Sequence, residues 1–198
     1  MTTEPIGRRE RNKQAKLERI TVAAGALFAE HGVDEVTTQQ IADAADIGTG
    51  TLFLYAKTKG ELLLLVQNAH YATALQRGRD AAVGTATAVE AVMALLTPVV
   101  ECNRRQVDNG RTYLREMVFG DPAEPHHAAA LAIVAQTEGA VAGILADRAA
   151  LAATEASTVA RVISAIMFVT MAASANESSS IPDLLTMIRI QVETILPA

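Results

Sequence analysis

Residues Thr37–Leu62 read TTQQIADAADIGTGTLFLYAKTKGEL. Thr37 is a residue type that caps a helix N-terminus, and it stands just before a short helical run, Thr38–Ala45. Asp46-Ile47-Gly48 is a tight connection, after which Thr49–Tyr55 reads as a second short helix. Ile41, Ala42, Ala45, Ile47 and Leu52 are spaced to bury one side of both, and the small Ala42 and Ala45 permit a close crossing. Thr58-Lys59-Gly60-Glu61 has the form of a capping box opening a longer helix. Two short helices around a tight turn make a helix-turn-helix, whose second helix meets base edges with its N-terminal residues.

Outward from this segment the pattern stays helical. A first helix spans about 9–31, with Ile20, Ala24, Leu27, Phe28 and His31 on one face and Gly32 as its stop. Beyond the capping box, helices are expected at about 59–80, 87–107 (with Pro98 inside), 110–119, 124–149, 155–175 and 182–196. That makes nine helices and an all-α fold. Composition agrees: 50% of the 198 residues are hydrophobic but only 4% aromatic, and the apolar content is Ala, Leu, Ile, Val and Met.

The quoted stretch resembles the helix-turn-helix of the tetracycline-repressor (TetR) family of bacterial transcription regulators. Thr37, Ile41, Ala42, Ala45, Gly50, Thr51, Tyr55, Lys59 and Leu62 match its pattern, with Ile47 for a Val and Phe53 for a Tyr. Ile20–Gly32 is similar to the family's first helix. Three positions depart from it: Asp46 stands for the usual Gly, Gly48 for Ser or Thr, and Ala56 for Phe. The resemblance implies a DNA-binding domain over 8–62 and a ligand-sensing and dimerisation domain over 63–198. It implies phosphate contacts from Thr38, Lys59 and Tyr55, and a base-facing set of Gln39, Thr49, Gly50 and Thr51. Phe53 belongs to the same surface without the phenolic donor of the family's Tyr. The partners implied are a palindromic double-stranded operator, a second copy of the chain and a small-molecule effector that releases the repressor from DNA. The alternative is a DNA-binding regulator without a small-molecule ligand, controlled by a protein partner.

For the effector, polar or aromatic groups on otherwise apolar helices are the candidates: Tyr71, Asn103, Tyr113, Met117, Gln136 and Phe168. Abundant Ala and few rings suit an apolar or amphipathic ligand. Val159, Val162, Ile163, Ile166 and Met167 form one stripe, and Leu184, Leu185, Ile188, Val192 and Ile195 another. They serve either an internal core or a subunit seam, the latter as a four-helix bundle.

No metal, cofactor or catalytic constellation is evident. His126 and His127 are adjacent and read as surface residues, and Cys102 is the single cysteine. A helical enzyme or carrier would have to use Glu101, Glu116 and Glu138. No apolar segment follows the first basic residues, and Val162–Ala175, the longest apolar run, is short for a bilayer, so a cytoplasmic protein without membrane contact is expected.

The net charge of −5 hides an uneven distribution. From Leu63 onward nine Arg face thirteen Asp+Glu, a net of −4, whereas Arg8, Arg9, Arg11, Lys13, Lys16 and Arg19 concentrate positive charge at the start. These six read as a basic arm for phosphates or the minor groove.

Overall fold

The computed structural model describes residues 7–196. Among the described residues there are nine α-helices and no strand: α1 (Arg8–His31), α2 (Thr38–Ala44), α3 (Thr49–Leu52), α4 (Lys59–Ala82), α5 (Ala88–Arg104), α6 (Val107–Phe119), α7 (Pro125–Arg148), α8 (Ala153–Ala172) and α9 (Ile181–Ile195).

The head of the molecule is α1, α2 and α3. Ile20, Ala24, Phe28, Ile41, Ala42 and Leu52 close its core, each almost or fully buried. Thr37 caps α2 as expected, and Gln40 completes a capping box by accepting the Thr37 N–H at 2.8 Å. Thr58 likewise caps α4 through the Glu61 N–H. The Glu61 carboxylate, however, accepts from the Lys57 N–H at 2.6 Å, one residue before the cap. Asp46 takes φ +51°, which explains why glycine suits this position, and Arg19 holds it by donating to both its carbonyl and its carboxylate.

The helix α4 is shared by the head and the body, packing against α1, α5, α6 and α7. The boundary expected at 62/63 therefore falls inside a continuous helix. A Cβ on Gly78 would lie 2.1 Å from the Leu95 carbonyl oxygen, so α4 and α5 cross at backbone contact. The helix α5 runs through Pro98.

The break between α5 and α6 lies at Arg105-Gln106, not near Gly110 as expected. Gln106 caps α6 through the Asn109 N–H. Asn109, 2% exposed, is pinned by donating to the Phe28 carbonyl and accepting from the Val33 N–H, both at 2.7 Å, at the end of α1. Arg104, also buried, donates to the carbonyls of Asn176, Glu177 and Ser179 and so anchors the connection from α8 to α9.

The stripes on α8 and α9 both contribute to the core of the single chain. Ile163, Leu184, Ile188 and Val192 are fully buried within one chain, and Met167 nearly so. Val159, Ile166 and Ile195 are partly buried against the same core. The fully buried members fill the fold, and the partly buried ones also reach the surface. The outward faces of the two helices instead carry Val162, Val169, Met187 and Ile190, 38–62% exposed.

The membrane expectation also changes in one detail. The 24 residues of α7 and the 20 of α8 are long and apolar enough to cross a bilayer by length and composition. In the fold they pack on each other and on the other helices of the body.

Candidate nucleic-acid interface and the cavity behind it

The surface of the head is built from α2, the turn and α3. Gln39 is exposed at the start of α2; its amide donates to Asp43 at 2.7 Å and its carbonyl oxygen accepts the Thr49 hydroxyl at 2.6 Å. Gln39 and Thr49 thus form one polar unit across the turn. Gly50 is exposed, and a Cβ there would meet nothing within 4 Å, which leaves its backbone open to approach. Thr38 and Thr51 are half-exposed, and Phe53 is 45% exposed.

The α-helical part of the recognition unit ends at Leu52, earlier than expected. Leu54 and Tyr55 continue it with tighter bonds to the carbonyls of Thr51 and Leu52. Two expected phosphate contacts carry internal work as well. The Lys59 ammonium donates to the carbonyls of Val33 and Asp34, each at 2.9 Å, and so ties α4 to the loop before α2. The Tyr55 hydroxyl donates to the Lys13 carbonyl on α1. Neither signal is readable from the motif, because both partners lie 25 or more residues away. The basic residues Arg8–Arg19 ride on the exposed first turns of α1 rather than on an extended arm.

Behind the head, a cavity of about 50 Å³ lies among α4, α5, α6, α7 and α8. Tyr71, Tyr113, Met117 and Phe168 of the expected effector set line it, together with Thr137 and Met171. Tyr71 and Tyr113 stack with ring centroids 4.3 Å apart. Burial pushes both phenols above their ordinary pKa, so each remains an O–H donor. The Thr137 hydroxyl is satisfied by the Ile133 carbonyl, which leaves the walls effectively apolar.

Two expected residues are placed elsewhere. Gln136 is exposed on α7, about 100° around the helix from Thr137, and does not line the cavity. Asn103, 1% exposed, lies on the far side of Tyr71, where its amide donates to the Tyr71 hydroxyl and the Gly110 carbonyl. The apolar period of α7 through Ile133 and Thr137 is the signal that could have replaced Gln136.

A chain of hydrogen bonds leads from the cavity to the recognition unit. Tyr113 donates to Asn68 Oδ1 at 2.8 Å, and Asn68 Nδ2 donates to the His126 carbonyl at 2.9 Å. His126 Nε2 sits 3.0 Å from the Tyr55 carbonyl, which can only accept, so Nε2 carries the proton. Alongside, Lys57 pairs with the carboxylate of Glu124, the residue immediately before α7. The histidine pair is corrected accordingly: His126 is half-buried in this chain of bonds, and His127 is 5% exposed with Nε2 against the Met117 carbonyl.

The three acidic candidates do not gather. Glu101 pairs with Arg77, Glu116 lies against Gly60 at the start of α4, and Glu138 is on α7. Among the described residues no group of three or more His, Cys, Asp or Glu could hold a metal ion.

Residues 20–66 match the family model described as bacterial regulatory proteins, tetR family. No curated protein matches the chain. Among solved structures, similarity extends over nearly all of it. The repressor FadR of Thermus thermophilus, in complex with lauroyl-CoA, is 23% identical with a TM-score of 0.70 over 91% of this chain and 93% of that one. A TetR regulator from Rhodococcus sp. RHA1 is 21% identical with a TM-score of 0.68 over 93% and 97%. FadR of Bacillus subtilis, in complex with stearoyl-CoA, is 18% identical with a TM-score of 0.63 over 90% and 97%. Residues 20–66 thus match the model of the tetR family, and the fold of the whole chain is similar to that of these solved structures.

Proposed function

We propose that this chain, with its tetR-family helix-turn-helix as the starting point, is a dimeric cytoplasmic repressor released from a palindromic operator by a small apolar or amphipathic effector. Gln39, Thr49, Gly50 and Thr51 read bases, while Thr38, Lys59 and the basic turns of α1 hold phosphates. Phe53 and Tyr55 flank that surface. The outward faces of α8 and α9, with Val162, Val169, Met187 and Ile190, supply the apolar patch for a second copy.

The observation that carries the reading is the bonded path from Tyr113 through Asn68 and His126 to Tyr55. It joins the wall of an apolar cavity to the end of the recognition unit. A cavity of about 50 Å³ cannot take an alkyl chain, since benzene already needs about 150 Å³. The effector therefore selects an expanded conformer, in which Tyr113 moves and its bond to Asn68 is lost. Met117, Met167 and Met171 are unbranched and can repack to open that space. That the two FadR structures hold acyl-CoA makes a fatty acyl compound the first effector to try.

The test is operator binding with and without lauroyl-CoA, in the wild type and in Asn68→Leu. Release by the acyl compound in the wild type, with release blunted in the variant, supports the reading. Equal release in both removes the path from the mechanism.

The small size of the cavity favours a second reading, a regulator without a small-molecule ligand that answers to a protein partner. Tight specific DNA binding with no thermal stabilisation by any acyl compound would support it.

A further inference from the structure

Leu54 is 83% exposed, the highest value among the exposed large apolar side chains of the described residues, and its neighbour Phe53 is 45% exposed. Scattered surface leucines need no explanation, but these two adjoin, and both stand on the recognition unit. They follow Gly50 by three and four positions, so the three residues share one side of that unit. Side chains lean toward the start of their helix, so Phe53 and Leu54 border the space over Gly50. That space is open, because a Cβ on Gly50 would meet nothing within 4 Å. The run Thr49–Ala56 holds no charged residue.

The polar groups beside this notch are partly spent on each other. The Thr49 hydroxyl gives its proton to the Gln39 carbonyl oxygen, and one Gln39 N–H goes to Asp43. The rim of the face is basic. The Tyr55 hydroxyl reaches the Lys13 carbonyl, which sets the exposed Lys13 and Lys16 of α1 beside the end of the recognition unit. An apolar notch with cations at its rim fits the major groove of a duplex. Phosphates line the edges of that groove, and the one apolar group on its base edges is the 5-methyl of thymine.

We infer that Gly50, Phe53 and Leu54 form a notch that reads the 5-methyl group of a thymine in each half-site of the operator. The inference rests on the operator reading above and names what part of that surface recognises. The methyl lies over the Gly50 backbone between the Phe53 ring and Leu54, and leaves water on binding. The Gln39 amide, with one N–H and one lone pair still free, reads a neighbouring base. The methyl of 5-methylcytosine projects from the same ring position and fills the same notch, whereas uracil and cytosine leave it empty. Recognition at this position therefore follows the methyl group and not the base that carries it, which makes binding sensitive to cytosine methylation.

The test uses the full chain and the duplex it selects from a random library, with each thymine replaced in turn by deoxyuridine, which lacks only the methyl. At one thymine of a half-site the replacement is expected to weaken binding about four-fold, the worth of one buried methyl, and about fifteen-fold when both half-sites are changed. With cytosine at that position, 5-methylcytosine is expected to recover about four-fold over the unmethylated base. Gly50→Ala fills the notch without meeting any atom of the fold, and Leu54→Ala removes one wall at an exposed position. Both variants are expected to keep the wild-type melting temperature and to bind the thymine and deoxyuridine duplexes alike. If every deoxyuridine duplex binds the wild type as tightly as the thymine duplex, the inference is overturned while the operator reading stands. If the sensitivity to the methyl persists in both variants, other residues read it and the notch assignment falls. If no duplex is selected, both readings fall.

Discussion

Asp46 occupies a left-handed backbone conformation that costs a non-glycine residue about 1 kcal/mol. Its compensation is an exposed ion pair with Arg19, worth a few tenths to about 1 kcal/mol. Asp46→Gly is therefore expected to be neutral or to stabilise by up to about 0.5 kcal/mol, read from thermal unfolding. A clear loss of stability would show that the Arg19 pair dominates. Lys59 is the opposite case, because its ammonium serves the fold before it serves DNA. Lys59→Met removes two bonds to backbone carbonyls and is expected to cost about 1–2 kcal/mol of stability, with weaker operator binding following. An unchanged melting temperature with lost DNA binding would return Lys59 to a purely phosphate role. The departure of Asp46 from the family pattern was legible in the sequence, since a glycine position marks a backbone requirement. The internal bonds of Lys59 were not, because Val33 and Asp34 are set beside it only by the packing of α1 on α4.

Elements defined by local chemistry were readable in advance, and those defined by distant partners were not. Thr37 and Thr58 each cap a helix through a residue three positions on, so the starts of α2 and α4 follow from short windows. The break at Gln106 depends on Asn109 reaching Phe28 and Val33, 81 and 76 residues away. The effector set shows the same division. Tyr71, Tyr113, Met117 and Phe168 meet because three helices, α4, α6 and α8, converge, whereas Gln136 was chosen for its polarity alone and points outward. The crossing of α4 on α5 gives a sharp test. Gly78→Ala drives a methyl into the Leu95 carbonyl and is expected to destabilise by about 2–3 kcal/mol or more, measured by denaturant unfolding. Gly143→Ala, on the open side of α7, is expected to be neutral or stabilising by up to about 1 kcal/mol. Similar losses for both would mean that helix propensity, not the crossing, governs.

For the whole molecule, a net charge of −5 does not set its partner, because residues 1–62 carry only −1 of it and six of their basic residues cluster on the first turns of α1, while the body carries −4. Affinity should rest on a few phosphates per head and fall with salt. Contacts to about four to six phosphates in a dimer correspond to a slope of about −4 to −5 in log K against log salt. A dimer of the kind proposed would set its two α3 helices about 34–36 Å apart to meet successive major-groove faces. Body and head are joined through α4 and through the path from Tyr113 to Tyr55, and under the proposed function a change of conformer along that path would suffice for release. The most direct test is selection from a random duplex library followed by a binding titration of the selected site, with the wild type beside Gln39→Ala. A palindromic site bound by two chains is expected, with Gln39→Ala relaxing one or two positions in each half-site. Selection that enriches no site, or a site bound equally well by scrambled duplexes, would contradict it.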